Sequence, residues 1–256
     1  MVARASAVLV IVALLAMAIF ASPLQLNVLR NHYAISEDLD EYGDAVVSVL
    51  GIDDSGHIST PISYQEALNK VETNKPRVVF FFVHGWKNDG SISNYSNGDL
   101  NDFKAFIKEF SEKARANATL SAYEQYKIHG IYLAWHGHSR NYLKDLTFWN
   151  RNHISKIMGQ STSLSEVVKT ITKIAKANTE SSRIPVRVIA AGHSMGGKIV
   201  NTLINEQIGT RDLLEKSDHY PDLWLIINPA ESHKHIETII KDQKVRGEEG
   251  IRECPK

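Results

Sequence analysis

Residues 192–197 read Gly-His-Ser-Met-Gly-Gly, and the six residues before them, Val186 to Ala191 (VRVIAA), are mostly small or β-branched and apolar. The stretch has two readings: a serine nucleophile on a strained turn, or a glycine-rich connection whose serine caps a helix. The nucleophile reading requires a strand before the serine and a helix after it, with bare positions where the chain reverses. Gly192 and Gly196 flank Ser194 at two residues on either side, and Ile199, Val200, Leu203, Ile204 and Ile208 follow at helical spacing. With those positions bare, Ser194 can enter an unfavourable backbone conformation and project its hydroxyl above the sheet edge. The helix after it then aims its N-terminal amides at the same spot, where negative charge would develop.

The alternation extends in both directions. Arg77 to Val83 (RVVFFFV) is a continuous apolar run ending at His84-Gly85-Trp86, as expected of a strand covered on both faces of a parallel sheet. Leu100, Phe103, Phe106, Ile107, Phe110 and Ala114 predict an amphipathic helix, with Asp99 or Asn101 as its cap. Ile131 to Trp135 predicts the next strand, Leu164 to Ala175 the next helix, and Leu223 to Ile227 a strand beyond the serine. Ahead of them, AVVSVLGI and HIST flank the turn residues Asp53-Asp54-Ser55-Gly56 and predict a hairpin. Strands alternating with helices imply right-handed βαβ units. The expected fold class is therefore α/β: doubly wound, a mostly parallel sheet with helices on both faces, binding ligands beyond the carboxyl ends of its strands.

The 256 residues suit one large α/β domain, since such folds reach roughly 200 to 250 residues as a unit. Lys plus Arg equals Asp plus Glu at 29 each, without a long like-charge block, so nucleic acid is excluded as an expected partner. Residues 7–21 form an uninterrupted apolar run behind Arg4, shorter than a comfortable bilayer span and matching the core of an export signal. Residues 1–22 are expected to be a signal peptide or membrane anchor, residues 23–43 a linker, and residues 44–256 the domain. The domain is thus expected to be exported or held at a membrane, with membrane contact through the N-terminal segment. Cys254 is the only cysteine, which excludes an internal disulfide and a cysteine-based zinc site. His136-x-His138 lacks a further ligand at suitable spacing, so no metal is expected.

Acyl transfer needs two backbone amides aimed at the oxyanion, one from the residue after the serine and one from a loop ending an earlier strand. Met195 and Trp86 stand at those two places, with His84 and Gly85 supporting the loop and Gly192, His193 and Gly196 supporting the elbow. Together VVFFFVHGW, IYLAWHG, VRVIAAGHSMGG and DLWLIINPAES resemble the third to sixth strands of the α/β-hydrolase superfamily, over roughly Ala45 to Ser232. The resemblance implies a serine hydrolase acting on carboxylic esters, lipid esters among them, through an acyl-enzyme on Ser194 and without a cofactor. It is nearly silent on the substrate.

The histidine is harder to find. The superfamily's order is serine, acid, histidine, with the histidine after the last strand. After Ile227 the stretch ESHKHIETIIKDQKVRGEEG reads as one polar helix, and no seventh or eighth strand is visible, so the fold is expected to be C-terminally incomplete. Asn228 stands where an acid can follow the sixth strand, with Glu231 nearby. His233 and His235 are the only histidines after Ile227, which makes Glu231, His233 and His235 the acid and base candidates. His84 is expected to brace the oxyanion loop, and His193 to point away from Ser194. The alternative function is a non-catalytic or truncated domain of this type with a retained ligand cleft.

Overall fold

The structure, a computed structural model, describes residues 40–42, 45–86, 88, 98–116, 127–137, 148–177, 185–208 and 219–231. All of them fall within one compact unit spanning residues 35–256. Among the described residues six strands form one sheet: β1 (Asp40–Tyr42), β2 (Ala45–Gly51), β3 (Val78–Val83), β4 (Ile128–Ala134), β5 (Arg187–His193) and β6 (Leu223–Ile227). The helices are α1 (Pro61–Asn74), α2 (Gly98–Ala116), α3 (Phe148–Gly159), α4 (Thr162–Ala177) and α5 (Met195–Ile208). The sheet order is β1-β2-β4-β3-β5-β6, in which β1 is antiparallel to β2 and the other five strands run parallel.

This order accounts for which face each helix covers. The step from β3 to β4 moves one way along the sheet, while the steps from β2 to β3, β4 to β5 and β5 to β6 all move the other way. Right-handed crossovers in opposite directions put their helices on opposite faces. Accordingly α2, on the single reversed step, covers Val47, Val78, Phe80 and Tyr132 with Leu100, Phe103 and Ile107. Residues of α1, α3, α4 and α5 bury the other face, over Leu50, Val79, Phe81, Val83 and Ile131. Alternate residues of β3 divide cleanly between the two clusters, as the period of two requires. The continuous apolar runs of β3 and β4 thus mark strands buried on both sides, β4 along its whole length.

Three local readings need correction. His57–Thr60 is not a strand: Ile52 and Ile58 make a single antiparallel bridge, because Pro61 at the start of α1 turns the chain into a helix at once. Instead of forming a hairpin, β2 pairs in parallel with β4. Helix α2 opens at Gly98, so Asp99 and Asn101 sit inside its first turn and do not cap it. Among the described residues β6 is the end strand of the sheet, and Leu223, Leu225, Ile226 and Ile227 are exposed along it. No helix among the described residues is long and apolar enough to cross a membrane. The apolar run 7–21 and the expected polar helix from Ser232 onward lie outside the described residues.

Candidate active site

The register brings the two expected motifs together. Val83, the last residue of β3, is paired with Gly192 of β5, so the His84-Gly85-Trp86 loop leaves the sheet beside the turn carrying Ser194. The motifs are neighbours in space although β4 lies between them in sequence. Ser194 adopts φ of +54°, in the left-handed region. A non-glycine residue held there costs about 1–3 kcal/mol, which the surroundings must offset. The serine amide donates to the Ile227 carbonyl at 3.0 Å, and the serine carbonyl accepts from Ala230 at 3.0 Å and Lys198 at 3.1 Å. These bonds clamp the turn between the end of β6 and the first turn of α5.

The glycines are needed for close approach. A β-carbon on Gly196 would overlap the Val83 and His84 carbonyl oxygens, and one on Gly192 would fall 2.8 Å from the Gly197 nitrogen. A β-carbon on Gly85 would lie 3.1 Å from Ser194 Cβ, which shows how tightly the loop packs on the serine. Met195 opens α5, so its amide has no acceptor within the helix and stands at the positive end of the helix dipole.

His84 is fully buried and stacks against the rings of Tyr132 and Trp135, at centroid distances of 5.3 and 5.8 Å. Its Nε2 accepts the Trp135 amide proton at 3.0 Å, which leaves Nδ1 to donate to the Gly85 carbonyl at 2.8 Å. With both nitrogens engaged, this imidazole braces the loop and has no lone pair to take a proton from Ser194. Trp86 packs edge-on against Phe148 at 5.1 Å. Trp135 is buried and Trp149 is exposed.

His193 lies on the α2 face, lining an apolar cavity of about 250 Å³ with Phe82, Phe103, Ala191, Ile227 and Asp99. Burial pushes the Asp99 carboxyl above the usual carboxylate range, opposed by nearby His193 and by a hydrogen bond from the Gly85 amide. Asn88 Nδ2 also donates to Asp99, at 2.6 Å. Asp99 therefore holds both ends of the 84–88 loop, a role hidden from sequence because it depends on contacts between segments more than ten residues apart. Its position in the first turn of a helix was the one available signal.

Glu231 follows β6 on the same edge of the sheet, and its carboxylate accepts a hydrogen bond from Asn201 of α5. Lys198 feels that carboxylate as well. The structure thus brings together Ser194, Met195, Gly192, His193, Gly196, His84, Gly85, Trp86 and Glu231, while His233, His235 and His138 lie outside the described residues. Among the described residues, none hydrogen-bonds to Ser194 Oγ. His136 is tied down through its carbonyl, which accepts from Arg151 at 3.0 Å. Among the described residues no group of three or more histidine, cysteine or acidic side chains converges as a metal site.

Arg151 was not singled out from sequence. Its guanidinium is 3% exposed and grips Asp54 in a two-pronged pair at 3.0 and 3.2 Å, joining α3 to the β2–α1 connection. No protein-family model, curated protein or solved structure matches this chain.

Proposed function

We propose that the chain is a serine hydrolase of the α/β-hydrolase type, acting on carboxylic esters through an acyl-enzyme on Ser194. The observation that carries this reading is the left-handed φ of Ser194 at the β5–α5 turn, with Gly85 packed on its Cβ. Strained backbone of this kind is retained where it positions a reacting group. Ser194 Oγ attacks the ester carbonyl while His233 or His235 takes its proton, and the amides of Trp86 and Met195 receive the negative oxygen. The histidine then protonates the departing alkoxide as the acyl-enzyme forms. Water, deprotonated by the same histidine, adds to the acyl carbon and releases the acid and the serine. No metal or organic cofactor enters these steps.

Glu231 is the acidic residue nearest this edge after β6, and its carboxylate would orient the imidazole. The apolar run at residues 7–21 supports a domain exported or held at a membrane, where lipid esters would be within reach. The test is turnover of a short-chain p-nitrophenyl ester by the full chain, by Ser194→Ala, and by His233→Ala and His235→Ala. Loss of turnover in Ser194→Ala and in one histidine variant supports the reading. Equal rates in the wild type and Ser194→Ala would leave a cleft that binds without turnover.

A further inference from the structure

A second cavity, about 720 Å³ in volume and polar in lining, borders the elbow. One face of α3, running from Phe148 through Asn152 to Lys156, forms one wall, and Lys198 stands on the facing side of α5. Ala230 and Glu231 close it below. Two of these residues, Lys198 and Ala230, donate their backbone amides to the Ser194 carbonyl, so the cavity and the reacting serine share a wall. At its mouth Phe148 meets Trp86 of the oxyanion loop edge-on.

Among the described residues its charge is unbalanced. The Lys198 ammonium donates to the Asn152 side-chain oxygen at 2.8 Å and to the Asn152 carbonyl at 3.2 Å, which uses two of its three N–H groups. Lys156 lies close enough to repel it, and burial together with that repulsion holds the Lys198 ammonium below the ordinary lysine value against the pull of Glu231. Glu231, the only carboxylate among the described lining residues, accepts a hydrogen bond from Asn201. Among the described lining residues two lysines therefore face one carboxylate, which leaves one positive charge in surplus.

We propose that this cavity binds a phosphate group carried on the substrate, so that the ester presented to Ser194 has a phosphate-bearing half. The phosphate oxygens accept from Lys156 and from the remaining N–H of Lys198, and the negative charge of the group offsets the surplus positive charge of the lining. A carboxylate, with one charge and two oxygens, would answer less of this donor set. The volume falls in the usual range for small-molecule sites, roughly 300–1,000 Å³. The ester part of the proposal rests on the hydrolase reading, whereas phosphate binding does not.

The experiment is calorimetric titration of the full-length Ser194→Ala chain with inorganic phosphate, repeated with Lys156→Gln, Lys198→Met and Lys169→Gln added. Lys156 is exposed, so its substitution leaves the fold intact even if Lys198→Met destabilises it. The expected result is saturable binding, weakened about tenfold or more by Lys156→Gln and Lys198→Met, as the loss of one charge-assisted hydrogen bond requires, and unchanged by Lys169→Gln on α4. A folded chain that takes up no phosphate saturably, or that binds it equally well as Lys156→Gln, would overturn the proposal. Competition by soluble glycerol 3-phosphate assigns a soluble substrate, and competition by phosphatidylglycerol vesicles, but not phosphatidylcholine vesicles, assigns a lipid. Phosphate binding in a chain whose Ser194 proves inert would remove the hydrolase reading and leave the site standing. An active Ser194 without phosphate binding would do the reverse.

Discussion

Trp135 is bonded twice to His84: its amide donates to the imidazole Nε2 at 3.0 Å, and its indole donates to the His84 carbonyl at 2.9 Å. One residue at the end of β4 thereby fixes the first residue beyond β3, and with it the loop that faces Ser194. Replacing His84 with alanine leaves the buried Trp135 amide unpaired, at a cost of about 1–3 kcal/mol, and frees the Gly85 carbonyl. The chain should unfold at lower denaturant concentration, and the reactivity of Ser194 should fall by about a hundredfold, the scale of a lost oxyanion donor. Denaturant midpoints and labelling rates, measured on the same preparation, check both effects.

The strain at Ser194 predicts an opposition between stability and reactivity. Alanine at this position keeps the β-carbon and hence the cost of φ at +54°, whereas glycine removes it. Ser194→Gly should be more stable than Ser194→Ala by about 1 kcal/mol, with both variants inert. Thermal or urea unfolding of the two proteins decides it. Equal stability would mean that the turn is relaxed.

Arg151 is buried and pairs with the half-buried Asp54. Asp54→Ala leaves the Arg151 charge buried beneath α3 and should cost up to about 3 kcal/mol, whereas Arg151→Met leaves only the partly exposed Asp54 and should cost less. The double variant should cost less than the sum of the two. A double-mutant cycle in urea measures the difference.

His129 of β4 is completely buried and hydrogen-bonded to Ser48 at 2.8 Å, and burial, with a smaller contribution from Lys70, lowers its pKa from 6.5 to about 3. The unfolded chain binds this proton below pH about 6.5, while the folded chain does not until about pH 3. Stability attributable to His129 is therefore present above the unfolded value and is lost as pH falls between the two, by up to about 1.4 kcal/mol per unit. Urea midpoints compared between the wild type and His129→Leu across that window should show a steeper acid loss in the wild type.

The features legible in the sequence were those written in contiguous residues. VVFFFV is a strand because branched and aromatic side chains pack on both sides of its pleat, while LWLII forms a strand by the same run although its side chains are largely exposed, and GHSMGG sits at a strand-to-helix turn because its glycines permit nothing bulkier there. Helix α1 was hidden because its buried positions are Ser63, Ala67 and Val71, too small and too polar to make a stripe. Helix α3 was hidden for a related reason, since it buries Arg151 and Ser155 beside Met158 and Gly159. The direction of β2 could not be read, because alternation specifies faces and not the sense of pairing. At the site, Ser194 and the 84–86 loop were visible as motifs. Asp99, Asn88 and Lys198 act through distant partners, which no local pattern encodes.

The central claim, that Ser194 is an activated nucleophile, is tested most directly by exposing the full-length chain to a fluorophosphonate probe and locating the adduct by intact-protein and peptide mass spectrometry. The account predicts a single adduct on Ser194 in the wild type, none in Ser194→Ala, and slower labelling when His233 or His235 is replaced. A folded wild-type chain that acquires no adduct on Ser194 would contradict it.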